Sequence, residues 1–498
     1  MVKQSNFGKA DVCLILEGTY PYVTGGVSGW AHELIQEQSH LSFHLLAIVP
    51  RDAELELKYT LPNNVVGLTT VRLNDLPQGA DVSALVARRL HGMLREPIAS
   101  LTSEKPMELG ELGKIMQALS GIGSPLGTQA LLDREEAWSQ LLELYEATYP
   151  DQSFLDYFWS YRAIVGGLYS MLLAPLPQAD VYHAMSTGYA GLMGARAKVE
   201  TGRPVLITEH GIYTNERRIE VTSADWLEAT ASKALTVDKP RRDLRDMWID
   251  SINNFSKVAY AASDSIITLF KGNQVPQLED GADPAKMQVI PNGVDIKRYG
   301  SLNHRRQSQP TIALIGRVVP IKDIKTFIRA CSLLRQYAPD LKAYIVGPTD
   351  EDKQYYQECL NMVQLLGLEN NIVFTGQSRV EEYIPNIDLL VLTSVSEAQP
   401  LVILEAGAAG VPIVATDVGA CRELIEGTEE ESPNLGLGGI VTPLASPAAV
   451  AEAIYTLLSD NTLYDNASRA IKERVASYYN LATLHQSYRN LYAQYLRR

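Results

Sequence analysis

Residues 393–416 read TSVSEAQPLVILEAGAAGVPIVAT, and they decide the fold. The run IDLLVLTS (387–394) is apolar and of strand length, and VPIVAT (411–416) is another, so both read as buried strands. Between them Pro400 suits the first turn of a helix, where its missing N–H costs nothing, and Gly410 suits the residue just past a helix end. The unit is strand, loop, helix, strand. Glu397 then lies in the loop at the carboxyl end of the first strand, beside the helix start, and Glu405 rides on the helix. Ligands of open α/β sheets bind at that edge.

A helix start with unpaired N–H groups attracts anions such as phosphate, and an acid beside it repels them. Glu397 makes sense there if it faces a neutral, hydroxyl-rich group attached to the anion, and Glu405 if it grips a further hydroxyl pair. That description fits a nucleotide sugar. A glutamate at a strand end is, taken singly, more often solvated or ion-paired, so the remaining segments carry the decision.

The 498 residues suffice for two or three domains with full cores. A hydrophobic content of 46% and a charged content of 20% are those of a soluble globular chain. The net charge of −14 argues against a general nucleic-acid binder and against docking on an anionic membrane. Cys13, Cys331, Cys359 and Cys421 lack any C-x-x-C spacing, which disfavours a zinc site or a disulfide framework and fits a reducing cytoplasm. The N-terminal apolar run is too short for a secretory signal, and AIVGGLYSMLLAPL (163–176) is too short to span a bilayer, so it reads as a core helix.

Along the chain, DVCLILEGTYPYVTGGVSGWAHELI gives a strand, a glycine-bearing loop and a helix opening near Ser28, a plausible N-cap; HLLAIVP is the next strand. Residues 83–177 carry helix formers, with a break at SGIGSPLGTQ (120–129), and read as a helical insertion. Alternation resumes with ADVYHAM, RPVLITEHG, SDSIITLF and MQVIPNGVD. The polar stretch 298–310 reads as a linker, after which TIALIGRV, KAYIVGP, NIVFTGQ, IDLLVLTS and VPIVAT form a second series. Two α/β domains follow, at 1–300 and 301–478, with 479–498 as a terminal helix. The acidic segment 427–439 reads as a solvated loop.

In ALIGRVVPIKDIKTF, Gly316 and Arg317 close a strand and Lys322 precedes an apolar helix. Arg grips a diphosphate bidentately and Lys adds a point charge, although Lys322 could equally pair with Asp323 or water. Gly25 and Gly26 let backbone N–H groups approach a ligand, or merely make a tight turn; the segment is neither a Walker loop nor a dinucleotide fingerprint. His183 and His210 fall at strand ends, where either a ligand contact or a structural role is open. Arg217 and Arg218 could hold an anion but suit a solvated helix face.

Together, IPNGVD, GR with a lysine five residues on, and Glu-x7-Glu followed by AGVPIVAT resemble the retaining glycosyltransferase family 4, which has the GT-B fold. LEGTYPYVTGGVSGWAHELI, TEHGIYTNERR and SEAQPLVILEAGAAG look more narrowly like the cytosolic glycosyltransferases of Pel exopolysaccharide synthesis. The resemblance implies two Rossmann-like parallel-sheet domains clasping the donor in a cleft, with residues 479–498 packing back on the N-terminal domain. It implies transfer of a hexose from a UDP-sugar, UDP-glucose or a related hexose, to a growing polysaccharide, with no metal and no cofactor beyond the donor. Arg317 and Lys322, after Gly316, would neutralise the diphosphate, and Glu405 would hold the ribose hydroxyls. Glu397 would contact the sugar, with backbone N–H groups from Ala398, Gln399 and Leu401 around Pro400. Gly25 and Gly26 would face the donor phosphates, and His210, with His183 near by, the transferred sugar. A cytosolic location and partners in an inner-membrane synthase complex are implied as well. The chain departs from many members in one place: AQP follows the first Glu where they have Gly-Phe-Gly. A nucleotide-sugar epimerase of the same fold and a non-catalytic nucleotide-sugar sensor are the competing expectations; the intact Arg, Lys, Glu, Glu set disfavours the sensor.

Overall fold

In the computed structural model, which describes residues 8–223, 242–302 and 304–496, the chain divides into two units. The first comprises Met1–Thr268, Gln274–Gln288 and Arg489–Arg498, and the second Leu269–Asn273 and Val289–Tyr488.

The first unit runs β1 (Ala10–Glu17), α1 (Gly26–Glu37), β2 (Phe43–Val49), β3 (Val65–Arg72), then the helices α2 (Ala84–Leu101), α3 (Leu109–Ser120), α4 (Thr128–Leu131), α5 (Glu135–Thr148) and α6 (Phe154–Leu173). It continues with β4 (Ala179–Ala184), α7 (Tyr189–Thr201), β5 (Val205–Glu209), α8 (Tyr213–Ser223), α9 (Leu244–Ala262), β6 (Ser265–Thr268), α10 (Gln274–Glu279) and β7 (Met287–Val289). The sheet order is β3-β2-β1-β4-β5-β6-β7, with parallel pairing from β3 through β6. The five helices α2 to α6 fill the stretch read as an insertion, and they share one core with the sheet: Leu94, Leu112 and Leu168 pack in the same buried cluster as Ile15, Leu46 and Ile207. Asn254 of α9 fastens the insertion from inside, accepting from Met107 N (2.9 Å) and donating to Ser100 O (3.0 Å). Buried amides of this kind are tolerated because each polar atom is matched.

The second unit contains α11 (Ile296–Gly300), β8 (Thr311–Ile315), α12 (Ile324–Leu334), β9 (Lys342–Val346), α13 (Lys353–Leu365), β10 (Ile372–Gly376) and β11 (Leu389–Leu392). It goes on through α14 (Leu401–Ala409), β12 (Ile413–Thr416), α15 (Cys421–Glu426), β13 (Gly439–Thr442), α16 (Pro447–Ser459) and α17 (Asn461–Tyr478) to α18 (Leu481–Leu496), whose final residues belong to the first unit. Its six strands lie in the order β10-β9-β8-β11-β12-β13, all parallel. Alternate residues of β8 enter opposite cores, Ile312 and Leu314 one and Ala313 and Ile315 the other. A strand buried on both faces must be apolar throughout, which is why these segments read as continuous hydrophobic runs.

Three expectations need correction. Ser28 does not cap α1; the helix begins at Gly26 with Gly25 at its N-cap, Gly29 N bonds Gly25 O (2.9 Å), and Ser28 is buried inside the first turn. The stretch 298–310, apart from Asn303 outside the described residues, is not a free linker: His304 bonds Ile387 O (2.9 Å), Gln307 N donates to Asp388 (2.7 Å), and the Arg306 guanidinium lies over the Tyr464 ring (4.6 Å). The unit boundary accordingly falls earlier, at Val289. The acidic loop is only partly solvated, because Glu431 is buried against Arg474, their side chains 5% and 1% exposed and 2.6 Å apart. Arg474 also donates to Ile425 O (2.8 Å), so its charge is matched inside the unit.

Candidate active site

In the second sheet the strand order reverses between β8 and β11. Loops leaving such a pair turn to opposite sides and leave a crevice at the carboxyl edge. Gly316 and Arg317 follow β8, and residues 394–400 follow β11. The two loops are sewn together: Val395 N bonds Ile321 O (2.9 Å), and Thr393 Oγ1 donates to Lys322 O (3.1 Å) and Asp323 O (3.0 Å). Asp323, left-handed at φ 43°, spends its carboxylate on Thr326 N (3.2 Å) as the cap of α12. Lys322 therefore turns elsewhere, and its Nζ meets Glu397 Oε1 at 2.5 Å, while Ser394 Oγ donates to the same oxygen at 2.6 Å. Both side chains are largely shielded, at 18% and 12% exposure. Lys322 and Glu397, separate signals in the sequence, are thus one ion pair.

The loop carrying Glu397 is held from three sides. Gly419 has φ +53°, and a Cβ there would lie 2.2 Å from Glu397 O and 2.3 Å from Ala398 O. Ala420 N donates to Ala398 O (2.8 Å). Gln399 is buried, its Oε1 accepting from Asn292 N (2.6 Å) of the IPNGVD segment. The Gln399 side chain is therefore committed to the protein, a role that the AQP departure concealed. Pro400 sits at the N-cap of α14, one place earlier than its usual first-turn position, and Leu401 opens the helix; Gly410 closes it in the left-handed region at φ 87°. One helix turn and more along, Glu405 accepts from Tyr299 OH (3.0 Å), and burial pushes its pKa above the ordinary 4.5. Arg317 is half exposed and pairs with Glu351 (2.5 Å). An exposed pair of that kind contributes about 0.2–1 kcal/mol, so the guanidinium can exchange it for a better anion.

In the first unit, Gly25 and Gly26 open α1, and nothing stands within 4 Å of a Cβ built at either. His210 follows β5, its ring edge-on to Trp30 at 4.7 Å. Its Nε2 is buried with no hydrogen-bond partner among the described residues, and burial lowers its pKa to about 4, so the ring is neutral at physiological pH. His183 is a correction: it is fully buried within β4, with Nδ1 on Tyr492 OH and Nε2 on Thr208 Oγ1, both 2.8 Å, and both ring nitrogens serve the interior. Arg217 stacks on Tyr213 (5.1 Å) and pairs with Glu220 (2.6 Å). Sequence reasoning named Gln399 for its backbone N–H but missed its side-chain bond to Asn292, and it missed Gly419 and Tyr299 altogether.

Residues 10–285 match the family model described as Domain of unknown function (DUF3492), and residues 309–460 the model described as Glycosyl transferases group 1. The chain is 27% identical over 200 residues to the D-inositol 3-phosphate glycosyltransferase of Kineococcus radiotolerans, covering 36% of this chain and 45% of that protein. It is 25% identical over 257 residues to the N-acetyl-alpha-D-glucosaminyl L-malate synthase of Bacillus anthracis, covering 50% and 64%. The chain spans about half the length of these relatives. Among solved structures it is similar to Anabaena HepE in complex with UDP (TM-score 0.59, 15% identity, 97% of this chain and 100% of that one). It is also similar to the sucrose-phosphate synthase of Thermosynechococcus elongatus (TM-score 0.56, 17% identity, 97% and 98%). These likenesses show the fold: two Rossmann-like units of the GT-B glycosyltransferase type.

Proposed function

The chain belongs to the family described as Domain of unknown function (DUF3492), and from that premise, joined to its glycosyltransferase group 1 segment, we propose that it is a retaining glycosyltransferase transferring a hexose from a UDP-sugar to a growing polysaccharide. The observation that carries the reading is the shielded Lys322–Glu397 pair at the switch point of the second sheet, with Glu405 on the adjoining helix. A cation, an acid and a second, half-buried acid at one helix start match the diphosphate, sugar and ribose of a nucleotide sugar. HepE, whose complexes with UDP and with UDP-glucose are solved, supports UDP-glucose or a related hexose as the donor.

In this reading Arg317 and Lys322 neutralise the diphosphate beside Gly316, and their charge stabilises the leaving group as the glycosidic bond breaks. Lys322 leaves Glu397 for phosphate, which frees Glu397 to accept from sugar hydroxyls among the amides of Ala398, Gln399 and Leu401. Glu405 accepts from the ribose. No carboxylate is assigned as nucleophile; the departing phosphate takes the acceptor proton on the face it leaves. Gly25, Gly26 and His210 of the first unit are assigned to substrate contacts, and neither metal nor cofactor is required. The narrower assignment is a cytosolic enzyme of the PelF kind, working in Pel-type exopolysaccharide synthesis with inner-membrane synthase partners. Among the described residues no helix is long and apolar enough to cross a membrane.

Thermal-shift screening of UDP-sugars tests the proposal, since a ligand at ~100 times its Kd stabilises by about 2.7 kcal/mol. At least one UDP-hexose should raise the midpoint, and that donor should be consumed only when a saccharide acceptor is present. Conversion without acceptor would make the protein an epimerase, and binding without any conversion a sensor.

A further inference from the structure

The helical insertion carries an aromatic face that is left open to solvent. Trp138 of α5 and Trp159 of α6 are exposed, the latter by 61%, and Leu155, one turn before Trp159, is exposed as well. Phe158 joins the two tryptophans into one row, its ring 5.9 Å from that of Trp138 and 5.0 Å from that of Trp159. Single exposed apolar residues are ordinary, but a contiguous row of aromatic rings marks a binding surface. The rim of this one is acidic. Glu135 and Asp156 lie one turn before Trp138 and Trp159, exposed and without an ion-pair partner among the described residues. Such a rim repels anionic lipid and calls for a basic partner.

A basic, apolar face of matching length lies on the same insertion. Leu85, Arg88, Arg89 and Met93 of α2 are exposed, and their spacing puts them on one side of the helix, while Leu90 and Leu94 face the core. Leu85 is 80% exposed, and neither arginine has an ion-pair partner among the described residues. At 1.5 Å per residue the stripe from Leu85 to Met93 runs about 12 Å; the ring row, stepping 5.9 and 5.0 Å, is no longer than that. Arg95 of α2 pairs with Glu143 of α5 (2.6 Å) across an exposed seam, so the two faces open on the same side of the insertion. Guanidinium groups stack on aromatic rings and pair with carboxylates, and this surface already shows both: Arg162 lies over Phe158 (5.6 Å) and pairs with Asp133 (2.9 Å).

We propose that the insertion is a self-association surface. The Leu85–Met93 face of one copy seats on the Trp138–Trp159 face of a second, and a two-fold axis makes the contact twice and closes the pair. Trp, Met and Arg are the residues enriched where interfaces are anchored, with acids left to the rim. Each copy carries a net charge of −14, so the attraction comes from the matched faces and not from the molecules at large. The pairing is independent of sugar transfer.

Light scattering and sedimentation equilibrium of the full-length protein test it. The wild-type chain should reach twice the chain mass as its concentration rises through the micromolar range, and go no further. Trp159→Ala should weaken the pair at least about tenfold with the thermal midpoint unchanged, and it serves if a charge exchange disturbs folding. Arg88→Glu with Arg89→Glu in one protein, and Glu135→Arg with Asp156→Arg in another, should each leave monomers, because like charges then face one another. Mixed in equal amounts the two proteins should pair again, since each face meets its opposite. A wild type that stays monomeric, a pair indifferent to Trp159→Ala and to either exchange, no pairing on mixing, or growth beyond two copies would overturn the assignment. A monomer that instead binds phosphatidylcholine vesicles or maltohexaose, and loses that binding in Trp159→Ala, would give the aromatic face to a membrane or to a saccharide.

Discussion

Arg317 and Lys322 carry the sharpest expectation, because in the proposed reaction the charge they would meet grows as the leaving group departs. Arg317→Ala or Lys322→Ala should lower turnover by on the order of 100-fold, equivalent to ~3 kcal/mol, with little change in thermal midpoint. Wild-type turnover in both would remove them from the mechanism. The two acids should fail differently. Glu405→Gln should weaken UDP and UDP-sugar alike, whereas Glu397→Gln should leave UDP nearly untouched and cut transfer, a hydrogen bond to a charged acceptor being worth roughly 1.5 to 3 kcal/mol. Calorimetry with both ligands separates them, and unchanged binding in both variants would make the pair a surface feature. Glu405 adds a pH signature. Its pKa is raised by burial, so the folded chain holds that proton more tightly than the unfolded one, and stability present below the ordinary value of 4.5 is lost as pH rises through the folded value. Glu405→Gln should therefore raise the thermal midpoint at pH 7 to 8, with the gain vanishing below about pH 4.5, while it weakens UDP. A lowered midpoint at pH 7 would show that Glu405 is not under strain from burial.

At the scale of elements, the loop between β11 and α14 is set by groups outside it. A methyl at position 419 would press on two carbonyls of that loop, at 2.2 and 2.3 Å, and an alanine in the left-handed region costs a further ~1–2 kcal/mol. Gly419→Ala should thus displace Glu397 and reduce transfer by on the order of 100-fold while UDP still binds; equal losses in both would mean that the whole unit is disturbed. This clamp was not legible in sequence, whereas the elements it joins were. The runs 387–394 and 411–416, within which β11 (Leu389–Leu392) and β12 (Ile413–Thr416) lie, announced themselves because a strand covered on both faces is mostly apolar, and Gly410 because a left-handed helix end favours glycine. Edge strand β3, VVGLTTVR, gave no such run: its two threonines interrupt it, Thr69 bonding the buried His44 (2.8 Å) and Thr70 bonding Tyr22 OH (2.7 Å). His183 was open between a ligand contact and a structural role, Gln399 was named only for its backbone N–H, and Glu431 was read as part of a solvated loop, so the interior duty of each side chain was not legible. A polar side chain looks solvated until its partner is known, and Tyr492, Asn292 and Arg474 lie far away in the chain. Lys322 was ambiguous at short range, and only the capping duty of Asp323 decides that it pairs with Glu397.

On the scale of the whole molecule, a chain of net charge −14 would, on the proposed function, have to bind a donor that is itself anionic. Long-range attraction works against such an encounter, so affinity must come from local cations and from amide groups at a helix start. The two sheets divide this labour: one switch point presents Arg317 and Lys322, and the other, between β1 and β4, is occupied by the Glu17 carboxylate, which accepts from Ala190 N at the start of α7 (3.1 Å). Two consequences can be measured together. If the side-chain cations neutralise the diphosphate, initial rates should be the same in excess EDTA as in millimolar Mg²⁺ or Mn²⁺, because no charge remains for a metal to supply. Binding of UDP should weaken as ionic strength rises, since Arg317 is half exposed and screening acts on exposed charges. Arg317→Ala should flatten that salt dependence more than Lys322→Ala, whose ammonium is shielded at 18% exposure. A strict metal requirement in the wild-type protein would overturn this division of charge, because the phosphates would then be met by an ion and the arginine and lysine would be left with positioning alone.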